Sequence, residues 1–123
     1  MIRAAAVFSL SALIGTAVSA QDYVSADGAM MRGLDKVNGE TQDLDIATGG
    51  SAIFGDLRVR LGGCRYPADN PSGEAFAFVT IEKVPSQEQV FEGWMMASAP
   101  ALNALDHPRY DVWALRCKTP AAE

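Results

Sequence analysis

Leu57-Arg58-Val59-Arg60-Leu61 alternates strictly, with three aliphatics on one side and two arginines on the other, which is the two-residue repeat of a strand with one wet face. Ala75-Phe76-Ala77-Phe78-Val79-Thr80-Ile81 is apolar on both sides apart from Thr80, and so reads as a strand at the centre of a sandwich or small barrel. Between them, Arg65 to Glu74 holds Pro67, Asn70, Pro71 and Gly73 and reads as an irregular loop. Upstream, Asn38-Gly39, Gly49-Gly50 and Gly55-Asp56 are turn dipeptides dividing short segments. Asn38-Gly39 lies between Leu34–Val37 and Thr41–Ile46, and both of its residues tolerate the positive φ of a type I′ turn. Downstream, Val90–Met96 reads as a strand. Tyr110–Cys117 reads as the last one, with Tyr110, Val112 and Ala114 on one side and Asp111, Trp113, Leu115 and Cys117 on the other. The one helical candidate sits between these two: Ser98 caps it, Pro100 suits its first turn, Leu102 and Leu105 share a face, and Pro108 ends it by Asp106. The expectation is an all-β fold, a small sandwich or barrel of about six or seven short antiparallel strands with one short helix before the last strand. No βαβ rhythm or internal repeat is present.

The N-terminus carries Arg3, an uncharged run from Ala4 to Val18, and small residues at Val18-Ser19-Ala20, the pattern of a cleavable secretory signal. An uncleaved anchor is the competing reading, weakened by the Ala and Ser content of the run. Residues 1–20 are accordingly expected to be a signal peptide, 21–28 a flexible lead-in, 29–118 a single β-rich domain and 119–123 a tail. The expected location is the periplasm, with no transmembrane segment left after cleavage.

Export sets the reading of Cys64 and Cys117. An even count in a small exported domain is most simply one disulfide, closing a loop of about 50 residues worth about 4 kcal/mol in the chain-entropy model. A pair of free thiols for redox or metal chemistry competes, but no Cys-x-x-Cys spacing supports it. The net charge is −5, one unit more negative once Arg3 leaves, and the basic residues are scattered. Nucleic acid and anionic membranes, which select a clustered basic face, are therefore not expected partners.

Catalytic and metal signatures are absent. One histidine, no Gly-x-Ser-x-Gly elbow, no His-Glu-x-x-His, and no phosphate-binding or dinucleotide loop point to no catalytic residues, no metal and no cofactor. Asp43 and Asp45 read as the solvated side of a strand. The segment from Gly93 to Trp113 stands out, because it holds both tryptophans, the only histidine, Asn103 and two aspartates. As a recognition surface it would use Trp94, Asn103, Asp106, His107, Tyr110, Asp111 and Trp113. The bland alternative is that Trp94 and Trp113 are core residues and that Asp106 and His107 terminate the helix. Three functions compete on it: a non-enzymatic module binding an envelope protein, a glycan or small-molecule binder, and, with least support, a hydrolase built on Asp106, His107 and Asp111.

Several pieces carry a resemblance. They are Leu34-Asp35-Lys36 with Asn38-Gly39; Phe54-Gly55 with Leu57, Val59 and Cys64; and Phe91 with Gly93-Trp94-Met95, Ala97-Ser98, Pro100, Leu102-Asn103-Ala104-Leu105, His107-Pro108, Tyr110-Asp111-Val112-Trp113 and Cys117. On these the chain resembles the bacterial family known as domain of unknown function 2155, small exported proteins of alphaproteobacterial type. The family more often has Thr at the place of Asn38 and a second Ser at the place of Ala99. The resemblance implies export and a single domain, and brings no catalytic residue, substrate or cofactor with it.

Overall fold

In the computed structural model, which describes residues 4–7, 9, 11–15 and 22–120, the alternating segments become eight strands. They are β1 (Tyr23–Ala26), β2 (Gly28–Asp35), β3 (Thr41–Ala47), β4 (Ser51–Phe54), β5 (Leu57–Pro67), β6 (Phe76–Lys83), β7 (Gln89–Met96) and β8 (Tyr110–Cys117). All pairings are antiparallel. One sheet runs β1-β5-β6-β7, with β4 also paired to β5, and the other runs β3-β2-β8. The fold is thus the two-sheet sandwich, with no closed barrel. β5 is long enough to pair β4 through Leu57–Arg60 and β1 through Cys64–Pro67. Its inward residues Leu57, Val59 and Leu61 meet Met31, Ile46 and Val112 of the second sheet in one buried core. Arg58 and Arg60 face outward, where both donate to Glu82 of β6.

Both cysteines reach that core by a change of phase. Continued alternation from Leu57 would turn residue 63 inward and Cys64 to solvent; instead Gly62 bulges where Leu61 pairs with Val79 and Gly63 with Phe78, and Cys64 and Tyr66 become the inward residues. The second bulge lies in β8. Met31 pairs with Ala114 and Met30 with Arg116, so Leu115 is the extra residue and Cys117 rotates to the side of Val112 and Ala114, opposite to the side its spacing from Trp113 predicts. The two cysteines then bond, joining β5 of one sheet to β8 of the other through the buried interior.

Four local expectations are corrected. The lead-in contains β1, held because Ser25 and Ala26 pair with Arg65 and Cys64, so the expected loop also begins later, after Pro67. Asn38-Gly39 does not form a two-residue turn: only Gly39 takes positive φ, and Lys36–Gly39 make a four-residue loop closed by the Asp35–Glu40 and Gly39–Asp35 backbone bonds. Asp35 and Asn38 side chains accept from the N–H groups of Val37 and Glu40 inside it. The expected two-turn helix is a single 3₁₀ turn, Pro100–Leu102. Its intended cap, Ser98, bonds the Glu74 carboxylate, Asn103 is extended with its side chain spent on β7, and Leu102 is 74% exposed, so no apolar face drives a longer helix. Finally, Thr119 of the expected tail is buried. The signal cleavage site at Val18-Ser19-Ala20 and residues 121–123 lie outside the described residues.

The bridge closes a sequence separation of 53 residues. Replacing Cys64 and Cys117 together by Ala is expected to lower the unfolding free energy by about 4 kcal/mol. Urea denaturation of the oxidised protein and the double variant measures this directly, and an unchanged midpoint would contradict it.

Candidate functional site

The apolar pattern of β6 does not mean burial on both faces. Ala77, Val79 and Ile81 are buried, but Phe76 and Phe78 turn outward and are only half-buried. Register places Trp94 of β7 beside Phe78, Met96 beside Phe76, and Arg65 of β5 on the other side of Phe76. Two edge-on aromatic pairs result, Phe78 with Trp94 at 5.3 Å and Tyr23 of β1 with Phe76 at 5.7 Å between ring centres. The Arg65 guanidinium lies between them, 5.1 Å from the Trp94 ring centre. Tyr23, Arg65, Phe76 and Trp94 line an open cleft of about 230 Å³. Tyr23 is 48% exposed and Trp94 40%.

β7 is an edge strand, and the chain after it guards that edge. Asn103 donates its side-chain N–H to the Trp94 carbonyl at 2.9 Å. Gly93 makes room for it, since a Cβ there would lie 2.7 Å from the Asn103 amide nitrogen. At the other end of the same connection, Ser98 gives both its hydroxyl and its backbone N–H to Glu74. Burial opposes the charge of that carboxylate, yet the bonds from Ser98 and from the Ala75 N–H prevail and hold it below the usual range.

The seven residues singled out in the sequence do not form one surface. Trp113 and Asp111 stand on the outward face of the other sheet, opposite Arg32 and Leu34, so the two tryptophans belong to different faces of the sandwich. Neither is a fully buried core residue. Tyr110 is corrected from surface to core: it is 7% exposed, its ring packs edge-on against Phe54 at 5.3 Å, and a Cβ on Gly55 would clash with it. Asp106 is exposed on the connecting segment. His107 does local work, its Nδ1 accepting from the N–H groups of Arg109 and Tyr110 at 3.0 and 3.1 Å, which leaves the ring proton on Nε2. Among the described residues no carboxylate pairs with His107, and no group of acids, His and Cys could hold a metal ion.

Asn103 thus supports Trp94, whereas Tyr23, Arg65, Phe76 and Phe78 complete the site without having been singled out. The signal for Phe76 and Phe78 was their spacing of two, which puts both on the side of β6 that carries Thr80. Tyr23 and Arg65 gave none, because each stood in a segment read as irregular.

The start of β8 is fixed by a separate ion pair. Arg109 donates from Nε and Nη2 to the Asp35 carboxylate at 3.0–3.3 Å, while Asp35 also accepts from the Val37 N–H. Lys36 Nζ reaches the His107 carbonyl at 2.6 Å. These contacts clamp the end of β2 to the residues before β8, well away from the aromatic cleft.

The fold and site define a class: a disulfide-stapled two-sheet β domain that displays aromatic side chains on the outer face of one sheet. The chain belongs to the family described as an uncharacterised protein conserved in bacteria, domain of unknown function 2155, matched over residues 29–117. It is similar to the uncharacterised protein RP359 of Rickettsia prowazekii (strain Madrid E), 25% identical over 87 residues. That match covers 68% of this chain and 56% of the relative, so the chain spans little more than half of the relative's length. No solved structure matches it.

The Arg109 hydrogen bonds hold the Asp35 carboxyl below its ordinary value of 3.8. A carboxyl depressed in the folded state stabilises above the unfolded value, and that contribution is lost as pH falls through the folded one. Asp35→Asn is therefore expected to lower the urea midpoint at pH 7 and to flatten its fall between about pH 5 and pH 2 relative to the wild type. Parallel acid limbs in the two proteins would contradict this assignment.

Proposed function

We propose that this chain is exported through a cleaved signal peptide and works in the periplasm as a non-enzymatic module that binds an envelope protein through the outward face of the β1-β5-β6-β7 sheet. The observation that carries the reading is the half-exposed indole of Trp94, held at its edge by Phe78 and beside Arg65, in a domain whose buried aromatics, Phe54, Tyr66 and Tyr110, lie in the core instead. A large aromatic kept rigid and partly wet on a sheet face is the kind of anchor that protein interfaces use. The N-terminal pattern and the Cys64–Cys117 bridge support export. The described residues of the signal stretch form no strand or helix, and Val7, Leu13 and Ile14 are exposed there.

The glycan or small-molecule reading has less behind it. The cleft of about 230 Å³ is smaller than the 300–1,000 Å³ usual for ligand pockets, and the guanidinium of Arg65 covers the indole surface on which a sugar would stack. The hydrolase reading loses its base, because His107 Nδ1 is committed to two backbone N–H groups. No helix among the described residues is long and apolar enough to cross a membrane.

The test places a photoreactive aromatic amino acid at position 23, 94 or 113 of the full chain, expressed in its own host. The expected result is a processed periplasmic protein beginning at Gln21 that cross-links a discrete envelope protein from positions 23 and 94 but not from 113. Retention of the precursor in the cytoplasm, or cross-linking from position 113 alone, would overturn the proposal.

A further inference from the structure

On the basis of that reading, we infer that the occupant of the aromatic cleft is an acidic peptide segment of the partner, an Asp or Glu docking on Arg65 while an apolar side chain two residues away lies against Tyr23, Phe76 and the part of Trp94 that Arg65 leaves exposed. Three guanidiniums stand on the outward side of β5, and Glu82 takes hydrogen bonds from two of them, Arg58 and Arg60. Among the described residues no carboxylate pairs with Arg65. Arg32, Arg109, Lys83 and Lys118 all have acidic partners and Lys36 Nζ donates to the His107 carbonyl, so Arg65 and Arg116 are the arginines without an ion pair among the described residues. Glu92, on the same face opposite Thr80, is not paired with Arg65 either. In a chain of net charge −5, an exposed guanidinium left without a counterion inside an aromatic frame is a site of complementary charge for an anion.

The geometry selects an extended peptide rather than a free anion. Arg65, Phe76 and Met96 lie in one row across three strands, and Tyr23 and Trp94 occupy the adjoining rows on either side. Residues i and i+2 of an extended chain point the same way about 7 Å apart, enough to set a carboxylate on the guanidinium and an apolar side chain on the neighbouring rings. Arg65 rests on Trp94 and so is pre-oriented, and its planar fork can donate two parallel hydrogen bonds to a carboxylate while still covering the indole.

The test uses the protein purified from the periplasm of cells expressing the full chain, with a fluorescein-labelled Gly-Ser-Phe-Ser-Asp-Ser-Gly amide as probe. Companion probes replace Asp by Asn or by Lys, and Phe by Ala. The expected result is that the Asp probe shifts the Trp94 indole N–H resonance and binds at least tenfold more tightly than the Asn, Lys or Ala probes. Arg65→Gln should erase the preference for Asp, Trp94→Ala should abolish binding, and Arg116→Ala, which removes the other unpaired guanidinium, should leave binding unchanged. Unaltered thermal midpoints show that the variants are folded. If the Asn or Lys probe binds as tightly as the Asp probe, the acidic partner is overturned while the aromatic face stands as the binding surface. If no probe perturbs Trp94, or if the face instead mediates a self-association lost in Trp94→Ala, the peptide occupant is overturned.

Discussion

The Cys64–Cys117 bridge is the constraint on which this fold turns, because it fixes how two separately patterned sheets meet. Neither cysteine lies in phase with its own strand. A strand period of two sends Cys64 outward from Leu57, Val59 and Leu61, and it likewise sends Cys117 outward from Asp111 and Trp113. Bulges at Gly62 and Leu115 reverse the phase in both strands, and both thiols then meet in the interior. Gly62 suits its place, since a Cβ there would lie 2.9 Å from the Phe78 ring. The bulges also decide what the outer faces carry: past Gly62 the inward positions are Cys64 and Tyr66, which leaves Arg65 outward beside Phe76.

The same logic produces the surface for which binding is proposed. β6 places its aliphatic side in the core and its two phenylalanines outside, where Tyr23 and Trp94 lean on them edge-on. Edge-on aromatic pairs contribute about 0.5–1.5 kcal/mol beyond the area they bury, so the face is rigid although it is partly solvated. Around it the chain spends its polar groups on holding geometry. Asn103 covers the β7 edge, Glu74 fastens the turn after it, and Arg109 with Asp35 fixes the entry to β8. The proposed interaction surface, supported in this way, would cost little conformational entropy on binding.

Much of the fold was legible in the sequence because it rests on period-two patterns. Leu57–Leu61 and Tyr110–Ala114 lie with the faces their alternation indicates, and the resemblance to the family agrees with its match over residues 29–117. What failed were inferences from turn chemistry and local propensity. The Asn38-Gly39 dipeptide is absorbed into a longer loop by the side chains of Asp35 and Asn38, and Ser98 serves a carboxylate instead of a helix end. The site was half legible. Trp94 and Asn103 were found by composition, but proximity along the chain grouped them with Trp113 and Tyr110, which adjacent positions in the sandwich send to another sheet and to the core. Tyr23 and Arg65 were invisible, because only the pairing of β1 with β5 brings them to the cleft.

The central claim is that recognition uses one sheet face, with Tyr23 and Trp94 covered together and Trp113 left alone. Hydroxyl-radical footprinting of the protein in intact cells, compared with the purified protein, measures this at each aromatic residue. The account predicts that oxidation of Tyr23 and Trp94 falls together in the cell while that of Trp113 is unchanged. Joint protection of Trp94 and Trp113, with Tyr23 still reactive, would contradict it.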